Sequence, residues 1–384
     1  MIGIAIIGSG AIAAVHADAF LSFADRCQVR VVCDLYPDKA RSLIEKKGLS
    51  AVACDNLDEV LSRDDVDAVS VCLPPDAHAS TVIRALNAGR HALVEKPMAT
   101  SLWECDEMIR AAENSGKILS PIFQNRFKTP NHKVKTMLER GVGGSVRYAS
   151  VDSLWWRGGN YYDIWWRGTW EKECGGCFTS HAVHQIDLLL WMLGKPQKVT
   201  AVIANMGHNN SECEDVGVAI LEYPNKLVQL SASLLTHDEH QEMVFQTEKG
   251  RLSIPWKPAA SKALTNGFPE EDSIARDELQ KYYENLLPLS LEGHPAQIDN
   301  FLFAIEKNVL PGITAQEGRN VVELVMAIYK SSVTHGTVEL PVAPDDPFYH
   351  RETMTSAMPR FYTKTRSVEN FETSEITLGS DLGK

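Results

Sequence analysis

Residues 2–15 read IGIAIIGSGAIAAV: an apolar β-branched run, a turn holding two glycines, then an alanine-rich stretch. An apolar run this short, closed by glycine, predicts a strand buried on both faces, and the stretch to about residue 23 predicts a helix. The turn between them has G-x-G-x-x-A spacing at Gly8, Gly10 and Ala13. Between a strand and a helix, that spacing is the dinucleotide-binding fingerprint. Gly8 permits the tight turn, Gly10 lets the backbone approach a pyrophosphate, and Ala13 allows close packing of helix on strand. Ala11 and Ile12 open the helix, whose N-terminus faces the anion. Any strand-to-helix glycine turn can match this pattern, so weight falls on Asp34, which ends the next predicted strand, VRVVCD. A carboxylate there accepts hydrogen bonds from the adenosine ribose and repels a 2'-phosphate. NAD is therefore the expected cofactor, ahead of NADP; a solvated strand-end residue or helix cap is the plain alternative for Asp34.

The alternation continues outward from this unit. Helices are predicted at 37–47, 57–61, 78–88 and 102–115, with strands near 52, in DAVSVCLPP (to 74), in HALVEKP and in KILSPIF. Strands alternating with helices indicate a parallel sheet wrapped on both faces, so residues 1–123 read as a Rossmann, doubly wound domain. Beyond FQNRF and a helix ending near 141 the pattern changes to long alternating strands at 146–155, 199–205, 216–223, 227–235 and 242–246. Residues 124–340 thus read as an α+β domain with a large, mostly antiparallel open sheet, closed by helices at 295–307 and 315–332 that pack on the sheet or across the interdomain junction. Past Pro341 the chain is rich in Pro, Ser and Thr with little periodicity. Residues 341–384 are expected to be a disordered tail or an arm docking on another subunit.

The chain has 384 residues, 44% of them hydrophobic and 23% charged, as in a soluble protein with real cores. A formal charge of -12 argues against nucleic acid or an anionic membrane as partner. The apolar start lacks a basic leader and is too short and glycine-broken to span a bilayer, so a cytoplasmic protein is expected. The eight cysteines are scattered in apolar surroundings, which suits reduced, buried thiols.

At EKP, residues 95–97, a more specific pattern closes. DAVSVCLPPDAH, then ALNAGRHALVEKP, then H-x-x-D after a Gly-Gly pair resemble the Gfo/Idh/MocA family of NAD(P)-dependent sugar and cyclitol oxidoreductases over about residues 2–340. The resemblance implies that Lys96 contacts both substrate and nicotinamide, with Pro97 fixing the turn; the neighbouring Glu95 is placed to hold the lysine. An ammonium beside the reacting hydroxyl would stabilise the alkoxide character that develops as hydride leaves. Pro74, His78, Glu95, Lys96 and Asn125 complete the expected cofactor set. Asn125 and Arg126 lie just past the last strand of the first domain, where residues reach nicotinamide or substrate; Arg126 is equally suited to an interdomain salt bridge.

The stretch CGGCFTSHAVHQID, residues 174–187, decides the chemistry. The resemblance places the family's histidine at His184 and its aspartate at Asp187, at i, i+3 and therefore neighbours on one helix face. His184 is the expected general base and Asp187 its orienter or a grip on a substrate hydroxyl. Ser180 stands where the family often has an aspartate, which shortens the proton relay or turns Ser180 and His181 to substrate binding. Cys174, Cys177, His181 and His184 could instead converge on zinc, but their spacing is shorter than that of usual structural sites, so no metal is expected.

The stretch SLWWRGGNYYDIWWRGTW, residues 153–170, holds five tryptophans, two tyrosines and two arginines. Aromatic faces cover the C–H face of a sugar ring and arginine donors reach its hydroxyls. Trp155, Arg157, Tyr161, Tyr162, Trp166 and Arg167 are candidate substrate residues, Arg167 foremost; a stapled loop or a subunit contact is the plainer reading. The resemblance also implies a homo-oligomer, dimer or tetramer, formed through the open sheet. It leaves three activities open: oxidation of a secondary hydroxyl to a ketone or lactone, internal recycling of retained NAD, and a non-catalytic sensor.

Overall fold

The computed structural model describes residues 1–369 and 371. The first sheet is built from β1 (Ile2–Ile7), β2 (Cys27–Cys33), β3 (Val52–Cys54), β4 (Ala68–Val71), β5 (His91–Val94) and β6 (Leu119–Pro121). Its order is β3-β2-β1-β4-β5-β6 and every pairing is parallel. Ile4, Ala5 and Ile6 are fully buried, as a strand covered on both faces requires. The crossovers run through α1 (Ala11–Leu21), α2 (Pro37–Lys47), α3 (Leu57–Ser62), α4 (His78–Asn87) and α5 (Leu102–Ser115). The order of strands across the sheet reverses between β1 and β4, which opens the ligand crevice of such sheets at their carboxyl ends.

After α6 (Thr129–Glu139), β7 (Val146–Trp156) starts the second sheet. The catalytic-looking stretch follows as α7 (Cys177–Ser180) and α8 (Val183–Leu193), and then come β8 (Lys198–Ala204), β9 (Val216–Glu222), β10 (Leu227–Ser233), β11 (Leu235–Thr247) and β12 (Arg251–Ile254). A small ribbon of β13 (Ser261–Ala263) and β14 (Pro269–Glu271) leads to α9 (Ser273–Asn285), α10 (Gly293–Lys307), α11 (Ala315–Thr334), β15 (Val338–Glu339) and α12 (Arg351–Ala357). The seven-stranded order is β12-β11-β7-β10-β9-β8-β15, antiparallel except for β7 beside β10. Burial alternates along β8 and β9, with Val199, Ala201, Ala219 and Leu221 inward and Val202, Val218 and Ile220 outward. One face packs on α8 and α11, and the other is open.

Two expectations need correction. The strand expected at 242–246 is the end of a longer one, β11, that begins at Leu235 directly after β10. The segment past Pro341 is no loose tail as far as it is described: Phe348, Tyr349, Met354 and Met358 are buried on the chain's own body. Its elements are too short to show periodicity, but each brings an apolar anchor. The expectation for residue 370 and residues 372–384 lies outside the described residues.

Candidate active site

Gly8 has φ +93°, and a Cβ there would stand 2.6 Å from the Cys72 carbonyl oxygen, so the turn needs glycine. A Cβ on Gly10 would meet nothing within 4 Å, which leaves open space in front of α1. The helix N-terminus has no side-chain cap and no acidic residue in its first turn, so Ala11 and Ile12 present amide donors to an anion, while Ala13 N already donates to the Gly10 carbonyl at 3.0 Å. These features fit a dinucleotide pyrophosphate. Asp34 stands beside this loop: its Oδ2 accepts from Ser9 N at 2.8 Å and Ser9 Oγ at 2.6 Å, and Oδ1 accepts from Tyr36 N at 3.0 Å. Lone pairs remain for ribose hydroxyls.

At the end of β5 the chain turns through Glu95 and Lys96 into a cis Lys96–Pro97 bond. Lys96 Nζ donates to the Ser180 carbonyl oxygen at 3.1 Å, joining the end of β5 to the turn before α8. Burial lowers the Lys96 pKa, Arg167 and Arg157 add repulsion, and Glu95 and Glu173 oppose the shift. His184 is half-buried, its Nδ1 is buried without a hydrogen-bond partner, and burial with the Lys96 charge holds its pKa well below the ordinary value. His181 is lowered likewise, by burial first and then by Arg157, Lys96, Arg167 and His184. Its Nδ1 faces Ser180 Oγ at 2.8 Å, and Ser180 Oγ also donates to the Gly176 carbonyl at 2.7 Å. The structure thus gathers Lys96, Ser180, His181 and His184 with the arginines of the aromatic stretch.

That stretch forms the outer wall. Arg167 lies over the Tyr161 and Trp166 rings at 4.1 and 4.3 Å, bonds to Tyr161 OH and pairs with Glu173 at 3.1 Å. Arg157 pairs with Glu239 at 2.7 Å and covers Trp155 at 5.3 Å. Trp155 and Tyr161 rings flank His181 at 5.5 and 5.8 Å. Tyr162 points away, buried against His208.

Several expected roles do not fit the geometry. Asp187 does not hold His184: its carboxylate takes bonds from Arg126 Nε at 2.9 Å and Nη2 at 2.7 Å. Arg126, suited equally to substrate or to an interdomain salt bridge, takes the second role: it is buried and paired with Asp187 and Glu317, whose carboxylates offset the burial of its charge. His78, expected at the cofactor, is fully buried with its ring nitrogens 2.8 Å from the Pro97 and Leu73 carbonyls, and so buttresses the Lys96 turn. Asn125 uses its carbonyl on Asn131 at 2.6 Å and is half-buried at the crevice. Cys174 and Cys177 are fully buried free thiols.

Other residues escaped the sequence reading. Glu173 is buried between Arg167 and the Gly168 amide, which it meets at 2.6 Å; it lies just past the aromatic stretch, and no local pattern marked it. His16 Nε2 meets Glu95 Oε1 at 2.9 Å while its Nδ1 meets Ser70 Oγ at 2.8 Å. His294 stands beside this pair, 5.6 Å from the His16 ring, and the three residues bring ligand atoms within 4.8 Å of one another. The nitrogen of His16 and the oxygen of Glu95 already satisfy each other there.

Residues 2–123 match the family model described as oxidoreductase family, NAD-binding Rossmann fold, and residues 135–340 match oxidoreductase family, C-terminal alpha/beta domain. The chain belongs to this Gfo/Idh/MocA oxidoreductase family and is an NAD-dependent oxidoreductase. It is 29% identical over 261 residues to 2,7-anhydro-N-acetylneuraminate hydratase of Mediterraneibacter gnavus, covering 66% of this chain and 67% of that protein. Identity to inositol 2-dehydrogenase of Salmonella typhimurium is 23% over 349 residues, 88% of this chain and 97% of that one. The WlbA dehydrogenase from Bordetella pertussis, solved in complex with NADH and UDP-GlcNAcA, matches with a TM-score of 0.75 at 27% identity, covering 89% of this chain and 99% of that one.

Proposed function

We propose that this family member oxidises a secondary hydroxyl of a sugar, sugar derivative or cyclitol to a ketone or lactone, with NAD+ as acceptor. The observation that carries the reading is the half-buried His184 ring beside the Lys96 ammonium, with its Nδ1 turned inward. An imidazole kept neutral next to a fixed cation is a ready base, and its other ring nitrogen, not the buried Nδ1, is the one that meets a substrate hydroxyl. His184 takes the hydroxyl proton while Lys96 stabilises the charge that grows on the oxygen. Bound NAD+ supplies the hydride acceptor, so the alcohol loses one hydride and one proton in all. Arg167, Tyr161, Trp155 and Trp166 hold the ring, with Arg157 and His181 reaching its hydroxyls. Asp34 selects NAD over NADP. Copies pair through the open sheet face that exposes Val202, Val218 and Ile220.

The test is NADH formation across free sugars, inositols, anhydrosugars and glycosides, with NAD+ and NADP+ in parallel and His184→Ala as control. Turnover with NAD+ on one stereochemical group, lost in the control, is the expected result. A relative that is a hydratase favours a second reading, in which retained NAD accepts and returns hydride within one site. Cofactor that stays bound through purification, with consumption of a glycoside and no net NADH, would select it.

A further inference from the structure

The chain from Ile164 to Gly176 carries Trp166, Arg167 and Glu173 without any helix or strand of its own. Two other segments hold it. Asn210 is buried, its Nδ2 lying 3.1 Å from the Tyr162 carbonyl, 2.9 Å from Asp163 Oδ1 and 3.0 Å from the Arg366 carbonyl. Its Oδ1 accepts from the amides of Thr365 at 2.8 Å and Arg366 at 3.0 Å. Val368 then bridges Ile164, donating to the Asp163 carbonyl at 2.7 Å and accepting from Trp165 N at 3.0 Å. Farther along, Trp170 Nε1 donates to the Pro359 carbonyl at 2.9 Å.

We propose that Asn210 and residues 359–368 form a clasp that fixes the aromatic loop in its substrate-binding shape, which makes Asn210 a positioning residue for Tyr161, Arg167 and Glu173. The Nδ2 of Asn210 donates to both segments and its Oδ1 accepts from the second, so the side chain acts as the pin between them. Ordering a free loop costs conformational entropy at every residue, and a loop ordered before substrate arrives spares binding that cost. The clasp touches nothing in the Gly8–Ala13 turn, so cofactor affinity is independent of it.

This inference rests on the reading that the loop binds substrate, and its test has one readout that does not. Amide hydrogen exchange is followed in the full chain, in Asn210→Ala and in a chain ending at Met358. Exchange over residues 162–168 is expected to quicken about tenfold or more in both variants, while β1 and β4 keep their protection. For the polyol with the best turnover, KM is expected to rise about tenfold with kcat and NADH affinity held, since the lost order must be restored on binding. Unchanged exchange over 162–168 in whichever variant folds overturns the clasp, as does a loosened loop with an unchanged KM. Exchange that rises equally in β1 shows a general loss of stability and also overturns it. A panel without any turnover sinks the substrate reading instead, and the exchange rates still judge the clasp.

Discussion

Lys96 Nζ donates to the carbonyl oxygen of Ser180 at 3.1 Å, so the end of β5 and the turn that leads to His184 share one hydrogen bond. The ammonium is thereby aimed at the space in front of His184. A neutral side chain of similar length keeps the packing and loses the charge that stabilises a developing alkoxide. Lys96→Met should lower kcat by about 10²–10³-fold, the scale found for loss of one oxyanion donor, and weaken NADH binding far less, because the dinucleotide is held mainly at its pyrophosphate and ribose. Stopped-flow kinetics with NADH fluorescence separates the two quantities. A fall in NADH affinity with kcat intact would refute the role.

The depressed pKa of His184 has a direct consequence for pH dependence. A base whose pKa lies well below its ordinary value is neutral across the physiological range and is lost only as pH falls through the depressed value. Oxidation should therefore hold kcat/KM flat from about pH 8 down past the ordinary histidine value of about 6.5. Burial is the larger cause of the shift and Lys96 the next, so in Lys96→Met the acid limb of the residual activity should move upward. A wild-type limb at the ordinary histidine value would show that His184 is not the base or is not so placed.

Under the active site, the His16–Glu95 pair is a buried ion pair with two opposite linkages. Burial opposes the charge of His16, but Cys72 and Glu95 raise its pKa to about 10; burial opposes that of Glu95, but His16 lowers it to about 2. The histidine's contribution is complete below its unfolded value and lost as pH rises through the folded one. For Glu95 the contribution is complete above its unfolded value and lost as pH falls through the folded one. Wild type minus His16→Phe/Glu95→Leu, compared by Tm, should therefore be largest at about pH 5–6 and shrink on both sides. His16→Ala alone leaves Glu95 buried and unpaired and should cost about 3–5 kcal/mol in urea unfolding.

The parallel sheet was legible because each strand is a short apolar run between turn residues and each crossover helix has its own stop; α5 falls on Leu102–Ser115, as its periodicity implied. What local spacing could not show was partnership across the chain. His184 and Asp187 are neighbours on a helix face, yet Arg126, far away in sequence, captures the carboxylate with two bonds that an imidazole cannot match. Glu173 and His294 were invisible for the same reason, since their importance lies in what folds against them. The ordered segment past Pro341 was missed because single apolar anchors such as Phe348 and Met354 make no periodic pattern.

Cofactor choice should follow Asp34. Its carboxylate, fixed by Ser9 and Tyr36 at the mouth of the fingerprint turn, repels a 2'-phosphate and accepts a ribose hydroxyl. Asp34→Ser removes both effects and should narrow the preference for NAD+ over NADP+ in kcat/KM by about tenfold or more, since each 1.4 kcal/mol is a factor of ten. The same preference in both proteins would move the discrimination elsewhere.

Glu214 supports the turn from which His184 emerges: its carboxylate accepts from Gly176 N at 3.0 Å, Phe178 N at 3.2 Å and Tyr329 OH at 2.9 Å. A Cβ at Gly176 would stand 1.8 Å from the Glu214 carbonyl oxygen, so the two backbones touch and the turn moves only if Glu214 does. Burial raises the Glu214 pKa to about 7 against the pull of these donors. The folded chain then holds a proton that the unfolded chain releases, so stability is complete below the unfolded carboxyl value and is lost as pH rises to about 7. Wild type should lose about 3 kcal/mol relative to Glu214→Gln between about pH 4.5 and 7, and little more above it. Urea denaturation of both proteins across that range measures the difference. A difference that is flat with pH would mean that Glu214 is ionised throughout, held by its three donors more strongly than burial opposes it.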